Sequence, residues 1–109
     1  MVIQLVKLRS GLSDAEVRRV MEQRAPSFRQ VLGLQQKYFC RDGTTGEYGG
    51  VYVWDSEEFM LKYRQSELAG TTPAAYKLEG PPRIEMFDVL FPLWPEEPAA
   101  AWAGAETGT

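Results

Sequence analysis

Tyr52 and Trp54 alternate within the short apolar stretch VYVW, and their side-chain types are suited to aromatic binding and hydrogen bonding. Alternate residues of a strand share one face, so the phenol and the indole are expected to project side by side. A buried tyrosine hydroxyl needs a hydrogen-bond partner, which predicts a polar spot within an aromatic pocket. Aromatic side chains on strands also contribute to plain core packing, so both interpretations of these two residues stay open.

Two polar residues on other predicted strands are also suited to binding or catalysis. Gln4 shares a strand face with Val2, Val6 and Leu8, so it is either an edge group or a buried hydrogen-bonding group. Arg83 begins the last predicted strand, where it is either a solvated edge charge or a donor that orients an anionic oxygen.

Three more aromatic residues, Tyr38, Phe59 and Tyr63, are candidates for lining a pocket. Phe59 and Tyr63 lie four residues apart and share a helix face, an arrangement that core packing also explains. Tyr38 shares a strand face with Cys40, and we expect Cys40 to be a small buried side chain.

The chain contains no histidine and only one cysteine. These counts exclude Ser-His and Cys-His nucleophile pairs, histidine metal ligands and an internal disulfide framework. Glycine-rich phosphate-binding motifs are also missing from the sequence. We therefore expect a protein that uses neither a metal nor a cofactor.

Length and charge restrict the class of protein further. The 109 residues are enough for one domain, and 44% hydrophobic with 25% charged residues is ordinary for a globular chain. A net charge of -3 and a pI of about 5.0 disfavour nucleic-acid binding, which needs a basic patch. The sequence has no apolar run that could span a membrane and no signal-peptide pattern, so a cytoplasmic location is expected.

Residue periodicity predicts four strands, at 2–8, 34–40, 51–54 and 83–91. The second and third strands flank a turn-rich segment, which predicts an antiparallel hairpin. Between the first two strands, Ser13 and Glu16 form a capping box that begins a helix, and Pro26 is expected to end or kink it.

A second helix is predicted directly after the third strand. Asp55 is expected as its N-cap with Glu58 at the third helical position, and Trp54 would pack against Phe59 across the helix start. A single helical turn is expected from Thr72 to Tyr76, because Pro73 suits the first helical position.

The resulting order, β-α-β-β-α-β, predicts a ferredoxin-like α+β fold with a four-stranded antiparallel sheet and helices on one face. The domain is expected to span residues 1–91, and the Pro/Ala-rich residues 92–109 are expected to form an arm or disordered tail. Because the strand at 51–54 is apolar on both faces, the face without helices should be covered by a second copy in a homodimer. Trp94 in the arm is then explained by docking onto the partner subunit, whereas Trp102 indicates nothing specific.

The segment GGVYVWDSEEFMLKY, with GLQQKYF before it and IEMFDV after it, resembles the YdhR-type mono-oxygenases of the dimeric α+β barrel superfamily. This group is similar to the antibiotic biosynthesis mono-oxygenases, and the resemblance covers roughly residues 2–91. It implies a pocket between the sheet and the helices of each subunit. Trp54 matches a pocket tryptophan at the end of the third strand, and Gln4 falls near a position where relatives carry asparagine. Haem degraders in the superfamily use a histidine ligand, which this chain lacks.

The resemblance implies a mono-oxygenase that inserts an oxygen atom from O₂ into a small hydrophobic substrate, aromatic or polyketide-like, without flavin, haem or metal. The protein would exclude water, hold the substrate ring against Trp54 and stabilise an oxyanion. The residues implied in catalysis are Trp54, Tyr52, Gln4 and Arg83, and those implied in substrate binding are Tyr38, Tyr63 and Phe59. Two alternatives are a cofactor-free isomerase or cyclase that uses the same pocket, and a non-enzymatic binder of small ligands or stress protein.

Overall fold

The structure is a computed structural model that describes residues 1–95, which form four strands and four helices. In chain order the elements are β1 (Val2–Leu8), α1 (Asp14–Phe28), β2 (Leu34–Arg41), β3 (Tyr48–Trp54), α2 (Glu57–Arg64), α3 (Glu67–Gly70), α4 (Thr72–Tyr76) and β4 (Arg83–Asp88). The predicted order of strands and main helices is confirmed, as is the short helix α4. Helix α3, a single turn capped by Ser66, was not predicted.

The four strands form one antiparallel sheet in the order β2-β3-β1-β4, which confirms the ferredoxin-like α+β fold. In the two central strands, Val2 lies opposite Trp54 and Gln4 opposite Tyr52, so these four side chains share a face. All four are buried on the side where the helices pack.

The core between the sheet and the helices consists of two adjoining clusters. The larger one contains Val2, Phe28, Tyr52, Trp54, Met60 and Tyr63, and the smaller one contains Leu8, Val17, Tyr48 and Tyr76. The larger cluster is dominated by aromatic rings, which sets the chemical character of the domain interior.

Helix α1 begins as predicted, with Ser13 and Glu16 forming a reciprocal capping box. Of the two predicted effects of Pro26, ending the helix is wrong, because α1 continues to Phe28. Pro26 lies in the last turn, where its missing N–H removes only one hydrogen bond, and the following turn is held by the N–H of Arg29 donating to the Ala25 carbonyl. Burial of the Phe28 ring in the larger cluster stabilises this final turn.

Helix α2 begins one residue later than predicted, and its N-cap is Ser56 instead of Asp55. Asp55 has other contacts, because its N–H donates to the Gly33 carbonyl and its carboxylate accepts from the Gln35 side chain. This shift moves Phe59 out of the expected staple position, and its ring packs against Gly33.

The strands differ from the predicted ranges at their ends. Strand β3 begins at Tyr48, because Gly49 and Gly50 pair with β1 as part of the strand. Strand β4 ends at Asp88 and not at residue 91, since its partner β1 begins at Val2, opposite Asp88. Within residues 1–95, the apolar residues beyond Asp88 therefore have no further strand to pair with.

The sheet face opposite the helices, which we call the open face, carries Ile3, Leu5, Val51 and Val53 at its centre. Tyr38 and Phe87 flank this centre on the outer strands and are 55% and 53% exposed. Cys40 also lies on this face and is exposed, so the prediction that it is buried is wrong. Cys40 lies on the edge strand β2, where no helix or loop of the described part of the chain covers it.

Within residues 1–95, no helix is long and apolar enough to cross a membrane. Trp94 is exposed in this chain, and Trp102 with most of the predicted arm at 92–109 lies outside the described residues.

Candidate active site

The aromatic cluster on the helix side of the sheet is built around Tyr52 and Trp54. Their rings are parallel within 3°, with centroids 6.1 Å apart, because alternate residues of β3 project in the same direction. Tyr63 from α2 packs 5.4 Å from the Trp54 ring and 5.8 Å from the Tyr52 ring. Phe28 from α1 closes the cluster at 6.1 Å from Tyr52. A stack of this kind gives the helix side of the sheet a rigid, apolar interior.

Gln4 is part of this interior. It is only 2% exposed, and its side-chain Oε1 accepts a hydrogen bond of 3.0 Å from the indole Nε1 of Trp54. Gln4 is therefore a buried hydrogen-bonding group on the central strand β1 and not an edge group. The bond fixes the orientation of the indole behind Tyr52.

Lys37 is a charged residue that was not predicted from the sequence to belong to the site. Strand β2 places it opposite Tyr52, on the helix side of the sheet. Its Nζ lies 3.4 Å from the centre of the Phe28 ring, 4.3 Å from that of Phe39 and 4.5 Å from that of Tyr52. Burial, assisted by the nearby Arg24 guanidinium, lowers the pKa of the Lys37 amine to about 7. The three rings act in the opposite direction, because aromatic faces attract the ammonium form.

A central cavity of about 30 Å³ lies between the sheet and the helices. Its volume corresponds to about one or two water molecules. Two polar atoms around it are buried without a hydrogen-bond partner among the described residues, the Tyr48 hydroxyl and Nε of Arg24. The residues lining the cavity are Val6, Leu8, Met21, Arg24, Phe28, Lys37, Phe39, Tyr48, Gly49, Gly50, Tyr52, Thr72 and Tyr76.

The central cavity adjoins a larger surface groove between α1 and β2, which we call the α1–β2 groove. The groove has a volume of about 570 Å³, within the range of small-molecule sites. Four residues line both the groove and the cavity and form the boundary between them: Met21, Lys37, Phe39 and Tyr48. These four side chains thus separate the α1–β2 groove from the central cavity.

The tyrosines of this interior are kept neutral. Burial raises the pKa of Tyr52 well above its ordinary value, and the neighbouring Tyr63 raises it further. Burial also raises the pKa values of Tyr63 and Tyr76. These phenols are therefore hydrogen-bond donors and not bases at neutral pH.

The residues predicted to be catalytic occupy different places. Tyr52 lines the central cavity, whereas Trp54 and Gln4 lie behind it and do not line the cavity. Arg83 lies on the open face, and its guanidinium donates to the buried carboxylate of Glu47 at 2.8 Å. The structure thus brings three of the four together and separates Arg83 from them.

The residues predicted to bind substrate are also divided. Tyr63 and Phe59 line a second groove, of about 710 Å³, between α1 and the α2–α3 region. Tyr63 links this groove to the aromatic cluster through its contacts with Tyr52 and Trp54. Tyr38 lies at the outer rim of the α1–β2 groove and is largely exposed.

Lys37, Tyr48 and Arg24 are the residues of this region that sequence reasoning missed. One available signal was the pattern of β2, in which Lys37 shares a strand face with Phe39 and thus interrupts an inward-facing row. Arg24 carries no comparable signal, because charged residues on a helix are usually solvated. Its guanidinium instead donates to the Leu68 carbonyl and to the hydroxyls of Thr71 and Thr72, joining α1 to α3 and α4.

In the part of the chain that the structure covers, no three His, Cys, Asp or Glu side chains are grouped in a way that could hold a metal ion. The polar atoms of the candidate site are instead hydroxyl, amide, ammonium and guanidinium groups. Groups of this kind are able to donate hydrogen bonds to an organic, oxygen-bearing ligand.

Neither a protein-family model nor a curated protein matches the sequence. Solved structures with the same fold do match. A protein from Deinococcus radiodurans, assigned as an antibiotic biosynthesis monooxygenase, superimposes with a TM-score of 0.69 at 17% identity, covering 89% of this chain and 100% of the other. SnoaB from Streptomyces nogalater, a cofactor-independent oxygenase, gives a TM-score of 0.68 at 16% identity, covering 84% and 95%.

A dimeric ferredoxin-like protein of unknown function from Thermobifida fusca matches with a TM-score of 0.66 at 13% identity, covering 81% of this chain and 90% of the other. At these identities the similarity establishes the fold alone. The chain therefore has the ferredoxin-like fold found in antibiotic biosynthesis monooxygenase-like proteins, as the sequence resemblance implied.

Proposed function

We propose that this protein is a cofactor-independent mono-oxygenase that oxidises a small phenolic aromatic compound. The observation that carries the proposal is the α1–β2 groove, whose volume of about 570 Å³ is large enough for such a compound, together with the aromatic interior that it adjoins. In that interior the stacked rings of Tyr52 and Trp54 lie near hydroxyl, amine and guanidinium groups, and the substrate ring would extend from the groove towards them. Its fold is shared with SnoaB, which is described as a cofactor-independent oxygenase. Assignment to the YdhR-type group is part of the same proposal and is supported by the glycine- and aromatic-rich β3 strand.

The proposed reaction converts a phenol and O₂ into a quinone and water. The substrate supplies all four electrons: one oxygen atom is added to ring carbon, and the other leaves as water with the hydroxyl proton and the hydrogen of that carbon. An electron-rich phenolate can pass an electron to O₂ directly, so the protein's part is to promote ionisation, orient the ring and exclude water.

Tyr52 is the proposed donor to the oxyanion that develops on the substrate. Its hydroxyl stays protonated because burial raises its pKa, and it lies on the cavity wall. Trp54 and Gln4 act as positioning residues, since their hydrogen bond holds the ring on which Tyr52 stacks. Arg83 has no place in this scheme, because its guanidinium is paired with Glu47.

Oxygen uptake with 1-naphthol as the substrate tests the proposal. We expect consumption of one O₂ per naphthoquinone formed, measured with an oxygen electrode and by chromatography of the product. Tyr52→Phe should lower the rate by about 10²-fold while the protein remains folded, because it deletes one oxyanion donor.

The alternative activities give different results in the same experiment. Conversion of the substrate without oxygen uptake would identify an isomerase or cyclase. Saturable binding without any conversion would identify a binding protein. Either result contradicts the proposed reaction.

We also propose that two copies associate through their open faces. Ile3, Leu5, Val51 and Val53 form a continuous apolar centre there, and the Thermobifida fusca protein of the same fold is described as dimeric. Covering such a face with a second copy removes it from water, which is the favourable term in most protein association.

A further inference from the structure

The Lys37 amine lies against three aromatic rings and has no carboxylate beside it. Its Nζ forms neither a hydrogen bond nor an ion pair with the residues of the described chain, although the half-buried side chain lies on the inward face of β2. A lysine amine partly removed from water without a counter-ion is destabilising, and such groups in clefts are candidates for a functional role. The Lys37 amine is therefore the strongest candidate for an additional reactive group.

The local packing leaves space for the Lys37 side chain to point inward. Phe28, Phe39 and Tyr52 surround the amine, and Gly50 lies beside its stem. A Cβ at position 50 would lie 3.3 Å from Cε of Lys37 and 2.9 Å from Cε1 of Tyr52. Glycine at this position thus allows the amine and the phenol ring to occupy adjacent places.

Lys37 also lies at the boundary between the α1–β2 groove and the central cavity. A ligand in the groove reaches Lys37 and Tyr48 before it reaches the aromatic stack. The Tyr48 hydroxyl is buried without a partner, so two unpartnered polar groups line the same passage. A ligand with an ionisable hydroxyl on a planar ring would contact both.

The charged groups around this passage leave the amine without a counter-ion. Glu22 and Asp14 line the groove, but Glu22 pairs with Arg18 at 2.9 Å and Asp14 lies 4.0 Å from Arg41. The charged and titratable groups that line the groove or cavity or adjoin Lys37 are Asp14, Arg18, Glu22, Arg24 and Arg29 of α1, Tyr38, Cys40 and Arg41 of β2, Tyr48 and Tyr52 of β3, Tyr63 of α2 and Tyr76 of α4. Among them Arg24 repels a charge on Lys37 and so contributes to the lowering of its pKa.

We propose that the neutral Lys37 amine accepts the hydroxyl proton of a phenol- or enol-type ligand bound at this passage, so that the ligand is held as an oxyanion paired with the ammonium. The catalytic role of this proton transfer rests on the proposed function. The transfer itself takes place when the ligand binds and is measured separately from oxidation. In the binding step the O–H bond breaks, an N–H bond forms on Nζ, and no electrons leave either partner.

In the full reaction the same proton is returned. O₂ adds to a ring carbon of the bound phenolate and forms a C–O bond, which gives a peroxide. When the O–O bond of this peroxide breaks, the hydrogen of that carbon leaves with the outer oxygen as hydroxide, and the ammonium donates a proton to the hydroxide to form water. The amine is then neutral again for the next turnover. Lowering of the Lys37 pKa to about 7 suits this role, because a general base is most effective near the operating pH.

The probe for this proposal is 4-nitrophenol, whose phenolate is yellow and whose phenol form is colourless. With protein in excess at about pH 7, where part of the Lys37 amine is neutral and part of the free 4-nitrophenol is un-ionised, we expect the phenolate absorbance of the wild-type sample to rise on binding. Lys37→Met, which keeps the length of the side chain among the rings, should reduce the affinity for the phenolate by about 10- to 100-fold, the value of a charged hydrogen bond. Lys62→Met is the matched control at an exposed lysine and should behave as the wild type.

If Lys37→Met folds poorly, a second variant and a titration test the proposal. The ligand for the titration is unsubstituted phenol in oxygen-free buffer at about pH 8, where the free ligand and the Lys37 amine are both mostly neutral. Lys37→Arg retains a cation that cannot deprotonate, so binding of the phenolate releases a proton to the buffer, whereas the wild-type protein transfers that proton to Nζ with little net release. Calorimetry in two buffers of different ionisation enthalpy measures this difference.

The outcomes separate this inference from the proposed oxygenase reaction. If the protein binds 4-nitrophenol in its colourless form, does not bind it at all, or gives the same yellow complex in Lys37→Met, the role of Lys37 is wrong. If the complex is yellow and Lys37-dependent but no phenol supports oxygen uptake, the mono-oxygenase proposal fails and the proton-accepting site stands.

Discussion

The hydrogen bond between Gln4 and Trp54 joins the two central strands from within the core. Both side chains are almost completely buried, so neither polar group has water as an alternative partner. Removing one partner therefore leaves the other unsatisfied in an apolar environment.

We expect Gln4→Leu and Trp54→Phe each to lower the free energy of unfolding by about 1–3 kcal/mol from the unpaired group, with a further loss of packing in Trp54→Phe. The double variant should be less destabilised than the sum of the two single variants, because it leaves no orphaned polar atom. Urea denaturation of all four proteins measures this coupling. Strict additivity would show that the bond does not contribute.

Lys37 also affects how stability depends on pH. Its folded-state pKa is lowered from 10.5 to about 7, so between these values the unfolded chain binds a proton that the folded protein does not. Stability should therefore rise with pH across this window, by at most about 1.4 kcal/mol per pH unit.

The variant Lys37→Met should lack this rise and should be more stable than the wild type at neutral pH. Above about pH 10 the buried tyrosines oppose the trend, because their raised pKa values keep them protonated in the folded state only. Denaturation midpoints measured between about 7 and 10 test the expectation. A Lys62→Met control should retain the wild-type slope, and parallel slopes in both variants would argue against a buried amine.

At the scale of secondary structure, the junction between β2 and α2 depends on Gly33. This residue has φ of +82°, and a Cβ added to it would lie 2.1 Å from Cγ of Phe59. Gly33→Ala should therefore lower the free energy of unfolding by at least about 2 kcal/mol, from backbone strain and overpacking together. Gly43→Ala in the hairpin loop, where no atom lies within 4 Å, should change it by no more than about 0.5 kcal/mol. Thermal denaturation of the two variants makes the comparison, and equal stabilities would contradict the described packing of Phe59.

Features that depend on local chemistry could be predicted from the sequence, whereas those decided by distant contacts could not. The capping box of Ser13 and Glu16 was predicted correctly because both partners lie within one helical turn. The segment DSEE offered two possible caps for α2, and the choice of Ser56 follows from contacts of Asp55 with Gly33 and Gln35. The end of β4 is likewise set by the beginning of β1, a residue far away in the chain.

The same limit applies to the candidate site. The alternation of side chains along a strand predicted that Tyr52 and Trp54 share one face of β3, and the structure confirms it. The position of Lys37 could not be predicted with the same rules, because a lysine is normally expected to face solvent. Only the packing of α1 over β2 encloses its amine.

At the scale of the whole molecule, the open face determines the expected assembly. Val51 lies at its centre between Leu5 and Tyr38, and a charge placed there would be buried without a partner in a dimer. Val51→Asp should convert the homodimer into a monomer or unfold it, because burying an unpaired charge costs several kcal/mol. Gln65→Asp, on the helix side, is the control and should leave the assembly unchanged. Sedimentation velocity gives the result, and a wild-type monomer at micromolar concentration would contradict the dimer.

The strand order also has a kinetic consequence. Strand β1 is the first to be synthesised, yet both of its neighbours come much later, since Val2 pairs with Trp54 on one side and with Asp88 on the other. While the nascent chain lengthens, the apolar segment VIQLVKL has no native partner and is open to association with other chains. Pairings of such long sequence separation slow folding, because loop closure must precede the contacts that stabilise it. Chains whose synthesis stops before β4 would expose one edge of β1. We expect chaperones that bind unpaired strands to bind such chains.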